Sequence, residues 1–99
     1  MTVHELKTWP EFFEPVARLE KPFEIRVNDR DYQVNDVLYL REFEPDSAKY
    51  SGRWVARRVS YLMIGPAFGL KHGWACMGLG HTDWLPGSSI NDNSGVPNG

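Results

Sequence analysis

Apolar and polar residues alternate along several short segments of the chain, a pattern typical of β-strands. In segment 23–28 three apolar residues alternate with three polar ones, Phe23, Ile25 and Val27 with Glu24, Arg26 and Asn28. Successive side chains of a strand point to opposite faces of the sheet. We therefore expect the apolar row to enter the core and the polar row to lie on the other face, open to water or to a ligand.

The same alternation predicts five strands, at residues 3–7, 23–28, 37–43, 53–64 and 74–79. Segments rich in Asn, Asp, Gly and Pro separate them, as expected for turns. The alternation changes near Arg57 and Arg58, which predicts a β-bulge or a bend of the kind that closed barrels need. Apolar residues of these strands should share one β-core, which we expect to include Phe23, Ile25, Val27, Leu38, Leu40, Val55 and Val59.

One principal helix is predicted between the first two strands. Thr8 and Glu11 have the spacing of a capping box, and Pro10 suits the first turn of a helix. Three apolar residues recur at helical spacing and should form its buried stripe, namely Phe12, Val16 and Leu19. Pro15 removes a backbone donor, so a kink or a new start of the helix is expected there.

The composition is that of one small domain with a single core, since the chain has 99 residues. Hydrophobic residues make up 41% of the sequence, which argues against disorder of the whole chain. From Thr82 onward, Gly, Ser, Asn and Pro dominate. We therefore assign residues 1–81 to the domain and residues 82–99 to a disordered C-terminal tail.

The sequence also indicates the cellular compartment in which the protein is expected. No apolar run approaches the length of a membrane span, and the N-terminus lacks the features of a signal peptide. The single cysteine, Cys76, cannot form an intrachain disulfide and suits a buried position in a reducing compartment. These features predict a cytoplasmic protein without a membrane partner, and we expect it to be a monomer.

Basic residues are concentrated in the second half of the chain. The formal net charge is −2, which argues against indiscriminate binding to duplex DNA. Between Ser47 and His81, however, every charged residue is basic. Four of these residues are candidates for an RNA-contacting patch if they share one face: Arg53, Arg57, Arg58 and Lys71. The alternative is a set of scattered, solvated charges.

The polar row of the second strand is the strongest candidate site. Lys21 stands just before this strand, and Glu24, Arg26 and Asn28 follow on one face of it. A carboxylate, a guanidinium and an amide arranged in this way can hold a polar planar ligand such as a nucleobase. The alternative is a solvated face with weak ion pairs.

Metal and cofactor sites are not expected. His72 and Cys76 are four residues apart in a predicted strand, which separates their Cα atoms by about 13 Å, too far for one zinc ion. The sequence has no Gly-rich phosphate loop or nucleophile elbow. Phe68 and Trp84 lie in loop-like sequence and are candidates for stacking on bases.

The spacing Lys21-x-x-Glu24-x-Arg26 resembles the core of the ASCH-domain signature, with Leu19 where that family has glycine. The chain also resembles the small phage and bacterial family DUF3850, a branch of the ASCH/PUA-like superfamily, from about His4 to Leu79. The segments that carry this resemblance are His4-Glu5-Leu6-Lys7, Trp9-Pro10-Glu11, Phe23-Glu24-Ile25-Arg26 and Asn28-Asp29-Arg30. The resemblance implies a mainly β fold of the α+β type, a small PUA-like barrel with one principal helix. Its ligand cleft would lie between the barrel and the helix that precedes Lys21.

In such a barrel the first strand lies next to the second, so His4 and Lys7 could reach the same cleft. His4 would then be a hydrogen-bonding partner or a proton carrier, whereas the alternative places it at a barrel edge. The resemblance implies binding of RNA or a nucleotide-like ligand. A second hypothesis is a hydrolase of modified nucleosides or a ribonuclease, with Lys21 and Glu24 as catalytic candidates. A third is a phage accessory protein that binds a host protein.

The hydrolase hypothesis meets a difficulty in the sequence. In the amidohydrolases that the motif resembles, a hydroxyl side chain stands three residues after the lysine, and a later strand supplies a glutamate. Here that position is Glu24, and no glutamate follows Glu44. Catalysis would need a rearranged set of residues with Glu24 as base and Asp31 or Glu42 as partner. The sequence therefore favours binding over hydrolysis.

Overall fold

The computed structural model of the protein describes residues 1–81 and 90–91. The elements follow in the order β1 (Val3–Thr8), α1 (Pro10–Ala17), β2 (Phe23–Val27), β3 (Val37–Glu44), β4 (Lys49–Ile64), β5 (Trp74–Gly80) and β6 (Ile90–Asn91). Five of the strands and the helix occur where the alternation predicted them. β4 is longer than predicted because it begins four residues before Arg53.

The strands form one curled sheet that resembles half of a barrel, with the order β1-β3-β4-β5-β2 and β6 beside β4. β1 runs parallel to β3, and the other pairs are antiparallel. Strands β1 and β2 therefore form the two edges of the sheet. The structure confirms the predicted mainly β class with one helix, and the sheet curls into half of a barrel.

A single apolar core fills the concave side of the sheet. Its members include the four residues predicted from β3 and β4, all fully buried: Leu38, Leu40, Val55 and Val59. Phe13 and Val16 of α1 pack onto the same cluster. The helix thus covers the concave face, and its N-terminal end lies beside the open side of the half-barrel, where the edges β1 and β2 face each other.

The predicted facing of β2 is wrong. Phe23, Ile25 and Val27 are 40–46% exposed, whereas Glu24 is only 3% exposed. The cross-strand partners of the apolar row are Gly78, Cys76 and Trp74, so this row lies on the convex face of the sheet. Alternation separates the two faces of a strand but does not say which face is inside, and here the polar row points inward.

The helix also differs from its prediction in detail. Phe13 and Val16 are its buried residues, whereas Phe12 and Leu19 are exposed. The N-cap residue is Trp9 and makes no side-chain capping bond, so the predicted capping box is absent. Pro15 lies inside a helix that runs without interruption to Ala17. The helix therefore continues through Pro15 although this residue cannot donate to the carbonyl of Glu11.

The predicted irregularity of β4 lies slightly further along the chain than expected. The pairing of β4 with β5 shifts register between Val59 and Tyr61, which marks a bulge next to the predicted position. Of the predicted tail, only Ile90 and Asn91 belong to the described residues, and they pair with Val55 and Trp54. The rest of the tail, including Trp84, lies outside the described residues. No helix of the described part of the chain is long and apolar enough to cross a membrane.

Candidate functional site

An open cleft of about 610 Å³ lies between the two edge strands. One wall is formed by the end of β1 and the start of α1, including Lys7, Thr8, Trp9 and Phe12. The facing wall is formed by Lys21, the whole of β2 and Trp74. The cleft therefore contains Lys21, Glu24 and Arg26, but not Asn28, of the residues that the sequence singled out.

Lys21, Glu24 and Arg26 form one ion network in this cleft. Glu24 Oε1 accepts from Lys21 Nζ at 3.3 Å, and Glu24 Oε2 accepts from Arg26 Nε at 2.7 Å. The carboxylate is almost fully buried, whereas about a quarter of each cationic side chain is exposed. Burial of the anion strengthens both ion pairs, so Glu24 fixes the positions of two cations that still reach the cleft.

Arg26 also connects the two edges of the sheet. Its Nη2 donates to the main-chain oxygen of Lys7 at 2.9 Å and to Thr8 Oγ1 at 3.2 Å. Both acceptors belong to β1, on the far side of the cleft. The Nη1 group makes no hydrogen bond with any described residue, so it is a donor that remains available to a ligand.

Lys21 lies between two aromatic rings at the mouth of the cleft. Its Nζ is 5.2 Å from the centroid of the Phe12 ring and 5.5 Å from that of the Phe23 ring. Both distances allow cation–π attraction. The two rings are themselves 40–50% exposed, so each can offer part of its face to a planar ligand.

Tyr32 lines the inner part of the cleft and was not identified from the sequence. The residue is 1% exposed, and its ring packs edge-on against His4 with centroids 4.8 Å apart. Its hydroxyl makes no hydrogen bond with any described residue. Burial raises the pKa of this hydroxyl, and the charges of Arg26 and Arg30 act on it in the opposite direction. Both arginines line the cleft together with Tyr32.

The free edge of β2 adds backbone groups to the site. Pro22 O accepts from Leu79 N, and Asn28 N donates to Gly73 O. In an antiparallel pair, hydrogen-bonded residues alternate with residues whose backbone groups point away from the partner strand. The N–H and C=O groups of Phe23, Ile25 and Val27 therefore point away from β5, towards the cleft. In the described part of the chain no strand pairs with this edge.

Two of the predicted ligand-binding residues, His4 and Asn28, make contacts within the protein and do not line the cleft. His4 is buried, and its Nε2 lies 2.8 Å from Asp36 Oδ2; it does not line the cleft. Asn28 Oδ1 accepts from Tyr32 N at 3.1 Å and so holds the turn that carries Tyr32. Lys7 does line the cleft. Its Nζ lies 4.6 Å from the centroid of the Phe43 ring, which is not a lining residue.

The four predicted RNA-contacting residues are not brought together into one exposed patch. Arg53 and Arg57 lie on the concave face of β4 and hold the helix. Arg53 Nη1 pairs with Glu14 and lies 3.6 Å from Glu42 Oε2. Arg57 is buried and donates to the backbone oxygens of Ala56 and Val16, and desolvation lowers its pKa. Arg58 faces the other side and donates to Asn35, while Lys71 is exposed in the loop between β4 and β5.

The partners proposed for a hydrolytic Glu24 lie outside the cleft. Glu42 is buried, where Oε1 accepts from Ser51 at 2.7 Å. Asp31 is exposed and accepts from the Gln33 side chain. Neither residue lines the cleft. Among the described residues no group of three or more His, Cys, Asp or Glu side chains is arranged to hold a metal ion.

Comparison with known proteins identifies a family. The model of a domain of unknown function (DUF3850) matches residues 3–79 of the chain. The match spans both edge strands, the helix and all the residues of the cleft, and it confirms the resemblance to this family. No curated protein matches the chain.

Proposed function

The chain belongs to the DUF3850 family, and we propose that its cleft binds RNA or a nucleotide-like ligand. The observation that carries the proposal is the buried Glu24 carboxylate, which holds the cations of Lys21 and Arg26 beside exposed aromatic rings. Cations bind phosphate and carbonyl oxygens, and aromatic faces stack on bases. A nucleotide carries all of these groups within one small molecule.

The charge of the cleft favours an anionic ligand although the chain as a whole is acidic. Four cationic residues line the cleft against two carboxylates, namely Lys7, Lys21, Arg26 and Arg30 against Glu24 and Asp29. The net charge of the whole chain is −2. The local excess of positive charge is therefore concentrated where the ligand would bind, which attracts an anion to this cleft rather than to the surface in general.

Each polar group has a distinct part in this proposal. Arg26 donates through its available Nη1 group, and Lys21 supplies a compact charge for a phosphate. Glu24 acts as a positioning residue, since protein donors already occupy both of its oxygens. The hydroxyl of Tyr32 and the free backbone groups of β2 offer further donors and acceptors to the edge of a base.

We also assign the family to the ASCH/PUA-like superfamily, as the sequence resemblance implies. Two features support the assignment: the curled sheet with a single helix, and the Lys21, Glu24 and Arg26 side chains gathered in one cleft. A cytoplasmic location is consistent with Cys76 as a free thiol. We retain binding rather than hydrolysis as the function, because neither Asp31 nor Glu42 lines the cleft with Glu24.

The proposal is tested by titration calorimetry with ribonucleoside 5′-monophosphates and with short single-stranded RNA. Lys21→Gln and Arg26→Gln each remove a cleft cation and should weaken binding at least tenfold, about 1.4 kcal/mol. Arg41→Gln is the matched control, because Arg41 pairs with Glu5 on the surface and does not line the cleft. If all three variants bind these ligands as tightly as the wild-type protein does, the cleft is excluded as the binding site. Turnover that disappears in Lys21→Gln would instead favour the enzyme hypothesis.

A further inference from the structure

The hairpin between β4 and β5, residues 65–73, carries an aromatic side chain at its tip in an unusual backbone conformation. Ala67 and Leu70 exchange two backbone hydrogen bonds of 3.2 and 2.7 Å, which leaves Phe68 and Gly69 as the two turn residues. Both have positive φ angles, 47° and 83°, as in type I′ turns. Asn, Asp and Gly are favoured at the first of these positions, whereas a bulky residue is strained there.

Phe68 does not compensate for this strain by packing within the described part of the chain. Its side chain is 97% exposed, so the fold gains almost none of the free energy that burial of a phenyl ring provides. A strained backbone position and a fully exposed aromatic ring both disfavour phenylalanine in the isolated domain. Backbone outliers of this kind concentrate at functional sites and at ligand contacts.

The neck of the hairpin holds this tip in a fixed direction. A Cβ atom on Gly65 would lie only 2.0 Å from the main-chain oxygen of Lys71, so the two sides of the hairpin are too close for any other residue at this position. Gly65 N also donates to Trp74 O at 2.9 Å. The Phe68 ring is therefore presented on a short, well-bonded support rather than on a long loop.

The hairpin leaves the sheet beside the cleft. Trp74, the first residue of β5, lines the cleft. The residue before it, Gly73, accepts a 2.8 Å hydrogen bond from Asn28, which immediately follows β2. A ligand that extends beyond the Trp74 end of the cleft would therefore pass towards the hairpin.

The charge of this region is complementary to a nucleic acid backbone. The hairpin contains Lys71 and no carboxylate, and no carboxylate occurs anywhere between Ser47 and His81. Lys71 is exposed and lies three residues from the aromatic tip. An exposed ring three residues from an exposed cation matches a partner that is both anionic and rich in planar groups.

We propose that Phe68 stacks on a second base of a single-stranded RNA whose first base occupies the cleft, with Lys71 near the intervening phosphate. This inference rests on the proposed function and narrows the ligand from any nucleotide to a single strand of several nucleotides. Stacking on an aromatic side chain tolerates any base, since every base has a π face. Phe68 would therefore add affinity without adding sequence preference.

The test compares two probes, ribonucleoside 5′-monophosphates and a mixed-sequence single-stranded RNA about eight nucleotides long. Phe68→Asn creates the Asn-Gly pair that type I′ turns prefer, so the fold should be at least as stable as before. It should weaken binding of the RNA about tenfold and leave binding of the monophosphates unchanged. Phe68→Trp should retain the affinity for RNA. The control Tyr61→Asn, which removes an exposed ring from β4 outside the hairpin, should have no effect on either probe.

The outcomes separate this inference from the proposed function. If Phe68→Asn binds the RNA like the wild type while Arg26→Gln still weakens it, the stacking inference is wrong and the cleft remains the site. If Phe68→Leu retains full affinity, the contact is apolar rather than stacking, and the inference also fails. If the wild-type protein binds neither probe, the proposed function fails and this inference fails with it.

Discussion

Arg26 Nη2 lies 2.9 Å from the main-chain oxygen of Lys7, so one side chain connects the two edge strands of the curled sheet. The same guanidinium is held at Nε by Glu24. The separation of the two walls of the cleft therefore depends on a buried carboxylate as well as on the backbone. Substitutions in this network should change stability and ligand affinity together, whereas substitutions at the rim should change affinity alone.

Glu24→Ala should lower the free energy of unfolding by about 3 kcal/mol. It removes a buried anion and leaves the partly buried cations of Lys21 and Arg26 without their common partner. Urea denaturation followed by circular dichroism measures the change. Glu11→Ala, at an exposed glutamate in the first turn of α1, is the matched control and should cost less than about 0.5 kcal/mol. Equal losses in the two variants would contradict the network.

The facing of β2 is tested by a pair of substitutions. Ile25→Ala should cost less than about 1 kcal/mol, because Ile25 is half-exposed on the convex face. Leu40→Ala should cost about 2–5 kcal/mol, since it opens a cavity in the core. Both losses are measured by the same denaturation experiment. If Ile25→Ala lowers the free energy of unfolding as much as Leu40→Ala does, Ile25 lies in the core, as the sequence predicted.

Tyr32→Phe should separate binding from stability. The hydroxyl makes no hydrogen bond with any described residue, so its removal should leave the free energy of unfolding unchanged or slightly higher. If the hydroxyl donates to a ligand, the same change should weaken binding about fivefold, the value of one hydrogen bond. Calorimetric titration with ribonucleoside monophosphates measures this loss. An unchanged affinity would show that the Tyr32 hydroxyl does not contact the ligand.

The stabilisation that ionised Asp36 provides should be lost in acid. Burial raises the pKa of its carboxyl group, but hydrogen bonds from His4, Thr2 N and Gln33 N more than offset this and lower the pKa. A lowered pKa in the folded state stabilises the protein above the unfolded value of about 4, and this stabilisation is lost as the pH falls through the folded pKa. The free energy of unfolding should therefore decrease below about pH 4.

Asp36→Asn is the variant that tests this origin of acid sensitivity. It should be less stable than the wild type near neutral pH, and its stability should change less between about pH 4 and pH 2. Some dependence should remain, because the pKa of Glu14 is also lowered, chiefly by its hydrogen bond from Arg53. If the free energy of unfolding of Asp36→Asn falls as steeply in acid as that of the wild type, Asp36 is not the cause of the acid sensitivity.

Much of the fold could be predicted from the sequence, because alternation and turn residues identify strands directly. The positions of five strands and of the helix follow from these local signals. These signals do not show which face of β2 points into the core, since the alternation is the same whichever face is buried. The polar row turns inward because Lys21 and Arg26 neutralise Glu24, an arrangement that exists only when the three side chains meet in space.

The sequence could predict only those residues of the candidate site that are close together along the chain. Lys21, Glu24 and Arg26 are close in sequence, so their meeting could be anticipated. Tyr32 and Phe12 are brought to the cleft by the packing of other elements, and the sequence gives no signal for either residue. Arg53 and Arg57 were grouped with surface charges, yet they lie on the concave face beside Val55 and anchor the helix. Long arginine stems allow such burial when carboxylate or carbonyl partners are present.

The most direct test of the cleft as a binding site is an NMR titration of ¹⁵N-labelled protein with ribonucleoside monophosphates and short single-stranded RNA. The amides of residues 7–12 and 21–27 should shift progressively with added ligand, together with Tyr32 and Trp74. Amides in the centre of the sheet, such as those near Arg58 of β4, which another strand separates from each edge, should not shift. Shifts that are absent at saturating ligand, or that cluster away from these segments, would contradict the account.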